Sequence, residues 1–143
     1  MNASEVKSLV TLGKRAYGQA MEPVCLRHGI TRMELDVLLF LANNPGHDTA
    51  AELVSLRGLT KSHVSAAVAA LESRGLLSRC HRDGNRKTVH LAPLPGAEPV
   101  IADGQAAQQR LYAALLQGFA PEECAMLQRA GDRLVENLHR ILE

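Results

Sequence analysis

Positive charge is concentrated in one segment of this 143-residue sequence. From Arg57 to His90 there are seven Lys or Arg residues and only two acidic ones, which gives the segment a net charge of +5. The remaining residues carry nine cations and thirteen anions, so the overall charge of +1 conceals a basic segment within an acidic chain. Clustered Lys and Arg side chains neutralise phosphates and favour a polyanionic partner. The alternative is a solvated surface on which cations cluster by chance.

Within this segment, residues 59–77 (LTKSHVSAAVAALESRGLL) predict a helix with a small, uncharged outer face. At about 100° per residue, its valines and leucines fall on one side. The opposite side carries Ser62, Ser65, Ala66, Ala69 and Ser73. Small side chains allow a helix backbone to lie deep in the DNA major groove, where Ser can bond base edges and Ala can contact a thymine methyl. Lys61 and His63 lie in the first turn, where groove-reading helices make contacts. The competing interpretation is an ordinary amphipathic helix.

Capping signals predict that two further short helices precede this one. Thr31 with Glu34, and Thr49 with Glu52, have the spacing of capping boxes, and Thr60 is the predicted N-cap of helix 61–74. Gly75 is expected to end that helix in a left-handed conformation. Three short helices in succession, the last two joined by a tight turn, are typical of a helix-turn-helix.

The periodicity then changes to that of strands. Residues 76–82 and 87–91 have strand character, and Asp83-Gly84-Asn85-Arg86 between them predicts a turn. A hairpin directly after the third helix is the arrangement called a wing. The predicted fold is therefore mainly α with a small β-hairpin wing, in a winged helix-turn-helix lobe over residues 30–92.

Helices are expected on both sides of this lobe, over residues 1–28 and 97–143. The first is expected to begin at a Ser4 cap. In the last helix, apolar residues from Leu127 to Ile141 follow a four-three spacing suited to a helix–helix seam. No apolar run approaches the ~20 residues of a membrane span, and MNASEVKSLV lacks the pattern of a signal peptide. We expect a single cytoplasmic chain that does not engage the membrane.

These residues resemble the MarR-type (multiple antibiotic resistance regulator) transcription factors. The recognition helix and first wing strand of that family are similar to LTKSHVSAAVAALESRGLLSR. Its second and third helices are similar to HGITRMELDVLLFLANNPG and DTAAELV, and its wing is similar to RDGNRKTVHLAP. The resemblance covers roughly residues 15–117. It implies a homodimer whose first and last helices form the dimerisation region, and whose two recognition helices read a pseudo-palindrome in double-stranded DNA. It also implies that a small-molecule effector releases the DNA, as in members that act as repressors.

Two departures from the family pattern concern the wing and the segment after it. The family commonly has Arg two residues after the wing Asp, whereas this chain has Asn85 there and Arg86 next. Minor-groove insertion therefore rests with either Asn85 or Arg86. The family's Leu-Thr-x-x-Gly is replaced by LAPLPG over residues 91–96, so a different helix cap is expected. The predicted DNA-binding residues are Lys61, Ser62, His63, Ser65, Ala66, Ala69, Arg82, Asn85, Arg86 and Lys87, while Arg74 and Arg79 could equally hold Asp83 or Glu72.

An effector site is less well defined by the sequence. Tyr17, Phe40 and Tyr112 are candidate lining residues for a ligand pocket, with core packing as the alternative for each. Cys25 is a candidate redox thiol, because nearby Arg27 and His28 could lower its pKa; the alternative is a thiol with no role. The six histidines and three cysteines show no metal-ligand spacing, so neither a metal nor any other cofactor is expected.

Two other classes of function compete with a regulator of transcription. The first is a winged-helix module that binds proteins and not DNA. A thiol-based redox-sensing regulator is not a separate class but a variant of the main hypothesis. The second is an enzyme, which has little support because the sequence has no GxSxG, P-loop, GxGxxG or paired-carboxylate arrangement. The prediction is a sequence-specific, non-enzymatic DNA-binding regulator.

Overall fold

The computed structural model describes all 143 residues, as six α-helices and one antiparallel pair of strands. The elements are α1 (Ala3–His28), α2 (Arg32–Asn43), α3 (Ala50–Arg57), α4 (Lys61–Ser73), β1 (Leu77–Arg82), β2 (Asn85–Pro93), α5 (Glu98–Leu115) and α6 (Pro121–Leu142). The predicted architecture, mainly α with a β-hairpin wing, is confirmed.

The start of α1 differs from the prediction. Asn2, and not Ser4, is the N-cap: its side chain accepts from the Glu5 amide at 2.9 Å, while the Glu5 carboxylate accepts from the Asn2 amide at 2.8 Å. This capping box requires Glu or Gln three positions after the cap. Asn2 has one in Glu5, whereas the residue three positions after Ser4 is Lys7.

The helix-turn-helix begins its three helices at the predicted threonines. Thr60 accepts from the His63 amide at 3.3 Å, and Thr49 forms a complete capping box with Glu52. The capping box predicted at Thr31 is only half formed. Thr31 accepts from the Glu34 amide at 3.1 Å, but the Glu34 carboxylate does not return to Thr31. That carboxylate is buried and lies 3.5 Å from the Arg74 guanidinium instead.

One apolar core holds the helices of the lobe together. Its centre is α2, where every residue from Leu35 to Leu41 except Asp36 is buried. The other helices contribute Met21 and Val24 from α1, Leu53 from α3, and Val64, Ala67, Val68 and Leu71 from α4. The core therefore fixes which face of α4 points inwards and leaves the opposite face exposed.

The wing is tied to the loop before α3. Thr49 forms a β-bridge with His90, and the Leu91 amide donates to the Asp48 carbonyl at 2.7 Å. Strands β1 and β2 pair antiparallel with an irregularity between Cys80 and Arg82. The hairpin base is thus held against the helix-turn-helix by backbone bonds on the side facing α3.

The segment after the wing begins α5 without a side-chain cap, in agreement with the expected departure at residues 91–96. Leu94 precedes a short 3₁₀ turn, Pro95–Ala97, that leads directly into α5. Gly104 of α5 is buried against Leu39, since a Cβ added there would lie 2.7 Å from Leu39 Cδ2.

By its internal contacts the chain divides into a unit of residues 1–109 and a unit of residues 110–143. The second unit contains α6, which has no buried residue and carries exposed large apolar side chains along its length. None of the helices combines the length and apolar character required to cross a bilayer.

Candidate nucleic-acid interface

The outer face of α4 has the composition predicted from its periodicity. Val64, Ala67, Val68 and Leu71 are buried. The exposed residues of this face are Ser62, Ser65, Ala66, Ala69 and Ser73, preceded by Lys61 and His63 in the first turn. This surface contains only hydroxyl and methyl groups beyond its first turn. Its side chains are small enough for the helix backbone to approach the edges of base pairs.

The wing turn is tighter than the predicted four-residue link. Asp83 (φ 52°) and Gly84 (φ 70°) alone connect the strands, and both have the left-handed backbone of a two-residue type I′ turn. This turn matches the twist of a hairpin, and Asp and Gly are among the residues that tolerate positive φ. Asn85 and Arg86 therefore belong to β2, where both are exposed.

Asn85 is engaged within the wing. Its Nδ2 donates to Thr88 Oγ1 at 3.2 Å, and its Oδ1 accepts from the Lys87 amide at 3.0 Å. Both ends of the amide side chain thus stabilise the first residues of β2. Arg86 and Lys87 form no side-chain hydrogen bond or ion pair within the chain, which favours Arg86 over Asn85 as the wing residue that reaches a partner.

The seven cations of the basic segment fall into two groups. Three are bound to other parts of the chain: Arg74 to the carbonyls of His28 and Gly29, Arg79 to Glu72, and Arg82 to Asp48. Four have no ion pair or side-chain hydrogen bond: Arg57, Lys61, Arg86 and Lys87. The sequence suggested Glu72 or Asp83 as partners for Arg74 and Arg79. In the structure Glu72 pairs with Arg79, whereas Asp83 pairs with neither arginine.

Asp48 connects the two wing strands to the helix-turn-helix. Its Oδ1 lies 3.0 Å from His90 Nδ1 of β2, and its Oδ2 accepts from Arg82 Nη2 of β1 at 2.9 Å. The hydrogen bond with His90, followed by the charge and hydrogen bond of Arg82, holds the pKa of Asp48 below its usual value. We call Asp48, Arg82 and His90 the wing clasp. Sequence reasoning missed Asp48 because a single acidic residue before a helix cap carries no recognisable signal.

A cleft of about 470 Å³ lies between α3, α4 and β2. Two of the unpaired cations, Lys61 and Lys87, line it on opposite elements, together with Ser65 and Thr88. Helix α4 and the wing thus present positive charge to the same space, an arrangement suited to a phosphate backbone that runs between them.

The three candidate effector residues lie in different environments. Tyr17 lines a cleft of about 620 Å³ that also includes Lys14, Arg32 and Arg57. Its ring packs under the Arg32 guanidinium, 4.6 Å from the ring centroid, and its hydroxyl accepts from Gln108 at 2.8 Å. Phe40 is a buried core residue, and Tyr112 is exposed in the second unit. Only Tyr17 therefore lines this cleft.

The environment of Cys25 disfavours the thiolate. Burial raises the pKa of the Cys25 thiol, and the charge of Arg32 offsets this only in part. Arg27 and His28, the two neighbours that could have lowered this pKa, both contact Asp103 Oδ2, at 2.6 and 2.7 Å. Cys80 is exposed on β1 and Cys124 is half-buried. No three His, Cys, Asp or Glu side chains are grouped closely enough to hold a metal ion.

The fold and this surface together define a winged helix-turn-helix protein. A family model described as MarR family matches residues 28–87, from the end of α1 to the wing. No significant match to a curated protein sequence was found.

Solved structures match nearly the whole chain. The transcriptional regulator PA3341 is 26% identical, with a TM-score of 0.81 over 94% of this chain and 98% of that one. A putative MarR family regulator from Listeria monocytogenes, solved with a 26mer DNA, is 17% identical, with a TM-score of 0.78 over 93% and 87%. A MarR regulator from Methanosarcina mazei Go1 is 12% identical, with a TM-score of 0.82 over 99% and 94%. Residues 28–87 therefore match the MarR family model, and nearly the whole chain is similar in fold to these transcriptional regulators.

Proposed function

We propose that this protein is a homodimeric, sequence-specific DNA-binding regulator, and that it represses transcription until a small-molecule effector releases it. It reads a pseudo-palindromic operator through α4 and the wing. The observation that carries this proposal is the small, uncharged outer face of α4 between unpaired cations on its first turn and on β2. The structure of the Listeria monocytogenes relative with DNA supports it by analogy.

The two parts of the surface have different tasks. Ser62, Ser65, Ala66 and Ala69 lie against base edges and supply sequence preference. Lys61, Arg86 and Lys87 neutralise phosphates and supply most of the affinity, which makes binding sensitive to salt. Because Arg79 and Arg82 already have anionic partners in the free protein, they contribute less to that electrostatic term.

Dimerisation is supported by the apolar side chains that α6 leaves uncovered. Leu134 is 62% exposed and Leu138 56% exposed, and Leu127 and Ile141 continue the same spacing. Exposed apolar patches of this kind mark interaction surfaces. A twofold dimer would present two copies of α4 to successive major grooves about 34 Å apart, which requires a pseudo-palindromic operator.

The response to an effector is assigned to the cleft beside Tyr17. Lys14, Arg32 and Arg57 line an opening that also contains the Tyr17 ring and Asp36, and the Asp36 carboxylate pairs with Arg32 at 3.0 Å. The two cations without an ion pair, Lys14 and Arg57, suit an organic anion. The cleft is bounded by α1, α2 and the turn between α3 and α4, so a ligand there would contact the segment that leads into the recognition helix.

Fluorescence anisotropy of the protein on its own upstream DNA, against a scrambled duplex of equal length at two salt concentrations, tests the main proposal. A salt-sensitive preference for the upstream DNA is the expected result. Weak and equal binding to both duplexes, followed by failure to retain any genomic fragment in a selection from sheared DNA, would overturn it.

The alternative of a protein-binding winged helix is separated by an Arg86→Ala/Lys87→Ala variant. A DNA-binding regulator loses affinity for every duplex and shows a shallower salt dependence, by about two ions. A protein-binding module binds neither duplex, so the substitutions change no measured DNA affinity. The control is Arg79→Ala, which removes a cation already paired with Glu72.

A further inference from the structure

Arg74 occupies an unusual place for a cation of the basic segment. It is the C-cap residue of α4, directly before Gly75, and none of its contacts faces a partner. Its Nη1 donates to the Gly29 carbonyl at 2.9 Å and its Nη2 to the His28 carbonyl at 3.1 Å. The guanidinium is a planar fork of donors, and here it spans two consecutive carbonyls at the end of α1.

These carbonyls are available because α1 ends there. The last carbonyls of a helix have no partner within it. Gly29 takes the left-handed conformation (φ 61°), and the Gly29 and Ile30 amides both return to the Cys25 carbonyl. The carbonyls of His28 and Gly29 remain for an external donor, and Arg74 supplies it.

Arg74 also compensates a buried charge. Glu34 is 8% exposed, and its Oε2 has no hydrogen-bond partner. Arg74 Nη1 lies 3.5 Å from that oxygen. A buried carboxylate without a hydrogen bond is costly unless a cation is near, so removal of Arg74 would leave Glu34 uncompensated in the first turn of α2.

The same short segment is held from its other side by α5. The side chains of Arg27 and His28 both contact Asp103 Oδ2, at 2.6 and 2.7 Å. Arg27 and His28 therefore bind α5 through their side chains, and the carbonyls of His28 and Gly29 bind the end of α4.

We propose that Arg74 is a positioning residue for DNA reading: it fixes the end of α4 against residues 27–29 and, through them, against α5. It does not neutralise a phosphate. The proposal rests on the proposed DNA binding and adds that operator preference depends on a contact away from the DNA. A shift of the carbonyls at residues 28–29 moves the end of the recognition helix.

Arg74→Lys is the sharpest test, because it keeps the charge and loses the planar fork. A phosphate contact tolerates Lys as a point charge, whereas two adjacent carbonyls and Glu34 cannot be held in the same way. We expect Arg74→Lys to lose about tenfold in preference for the upstream DNA over a scrambled duplex, the equivalent of roughly one base contact, with an unchanged salt slope. Arg15→Lys, at an exposed arginine of α1 that forms no ion pair, is the matched control and should leave the preference unchanged.

A second variant guards against a loss due to misfolding. Glu34→Gln keeps the shape of the buried side chain and leaves every cation in place. Positioning predicts that it weakens operator preference in the same direction as Arg74→Lys, and that the two changes together are less than additive. A phosphate role for Arg74 predicts that Glu34→Gln leaves binding unchanged or tightens it.

Amide hydrogen exchange in the free protein tests the positioning without DNA. Arg74→Lys should lower the protection of the last turn of α4 and of Ile30, whereas Arg15→Lys should not. Unchanged protection in Arg74→Lys, or an equal loss of affinity for both duplexes with the salt slope reduced by about one, would overturn the proposal. A wild-type protein without operator preference would instead refute the proposed function, and the exchange result would still decide the role of Arg74.

Discussion

The guanidinium of Arg82, at the end of β1, lies 2.9 Å from the carboxylate of Asp48 in the loop before α3. His90 of β2 contacts the other oxygen of the same carboxylate. The wing clasp therefore neutralises one cation of the basic segment while it fixes both wing strands to the helix-turn-helix. Asp48 therefore controls both the orientation of the wing and the charge of the surface.

Replacement of Asp48 should separate these two effects. Asp48→Ala removes an anion and frees Arg82, so affinity for a scrambled duplex should rise severalfold at low salt and the salt slope should steepen by about one. Preference for the operator should fall because the wing is less firmly held. Anisotropy titrations on both duplexes measure the two effects, with Asp36→Ala as a control that removes the same charge from α2. Unchanged binding to the scrambled duplex would show that Arg82 stays unavailable to DNA.

A charge on the outer face of α4 should abolish operator binding. Ala66 is exposed in the middle of that face, so Ala66→Glu would place a carboxylate against base edges and phosphates. We expect loss of detectable operator binding with the thermal midpoint of unfolding unchanged. Ala102→Glu on the exposed side of α5 is the matched control and should bind normally. Operator affinity retained in Ala66→Glu would show that α4 does not lie in the DNA groove.

Charges on the apolar face of α6 should dissociate the proposed dimer. Leu134 and Leu138 are exposed within one chain, so a Leu134→Asp/Leu138→Asp variant should fold as a monomer and bind the two half-sites of the operator without cooperativity. Light scattering after size-exclusion chromatography gives the mass, and Glu136→Gln is the control on the same helix. A dimeric mass for the double variant would place the dimer interface elsewhere.

The contact between Gly104 and Leu39 should make a normally favourable substitution destabilising. Gly to Ala in a helix gains up to ~1 kcal/mol from propensity. At this position a Cβ would lie 2.7, 3.0 and 3.2 Å from three atoms of the buried Leu39 side chain, and overpacking of this kind costs about 1–3 kcal/mol.

We therefore expect Gly104→Ala to lower the free energy of unfolding in a urea titration. A Leu39→Val change in the same chain should restore part of the loss, because it removes atoms from the crowded site. Greater stability of the single Gly104→Ala variant would mean that α5 and α2 pack less closely than described.

Cys25 should react slowly with alkylating reagents at neutral pH. Its thiol pKa is raised by burial, so the reactive thiolate is scarce below that pKa and the rate should rise with pH towards a midpoint above the ordinary thiol value. Iodoacetamide labelling of variants that keep only Cys25 or only Cys80 measures this, with the exposed Cys80 expected to react faster. Rapid labelling of Cys25 at pH 7 would revive the redox-sensing alternative.

The helix-turn-helix was predictable because its signals are local. Threonine caps, the glycine that ends α4, and the alternation of apolar and small residues on α4 each act within a few residues of chain. The same rules located the wing, although its turn proved shorter because Asp83 accepts the left-handed backbone next to Gly84. The predicted cap of α1, Ser4, was wrong by two residues for an equally local reason, because Asn2 forms a capping box with Glu5.

The partners of the cations were decided by the tertiary structure. Arg82 meets Asp48 across 34 positions of sequence, and Arg74 meets the Gly29 carbonyl across 45. No periodicity or spacing rule connects residues so far apart, because their proximity is created only when the core brings α1, the α3 loop and the wing together. The sequence by itself determined that this chain forms a basic, winged helix-turn-helix, since patterning and caps act locally. Only the packed fold decided which cations remain unpaired and which hold α4 and the wing in place.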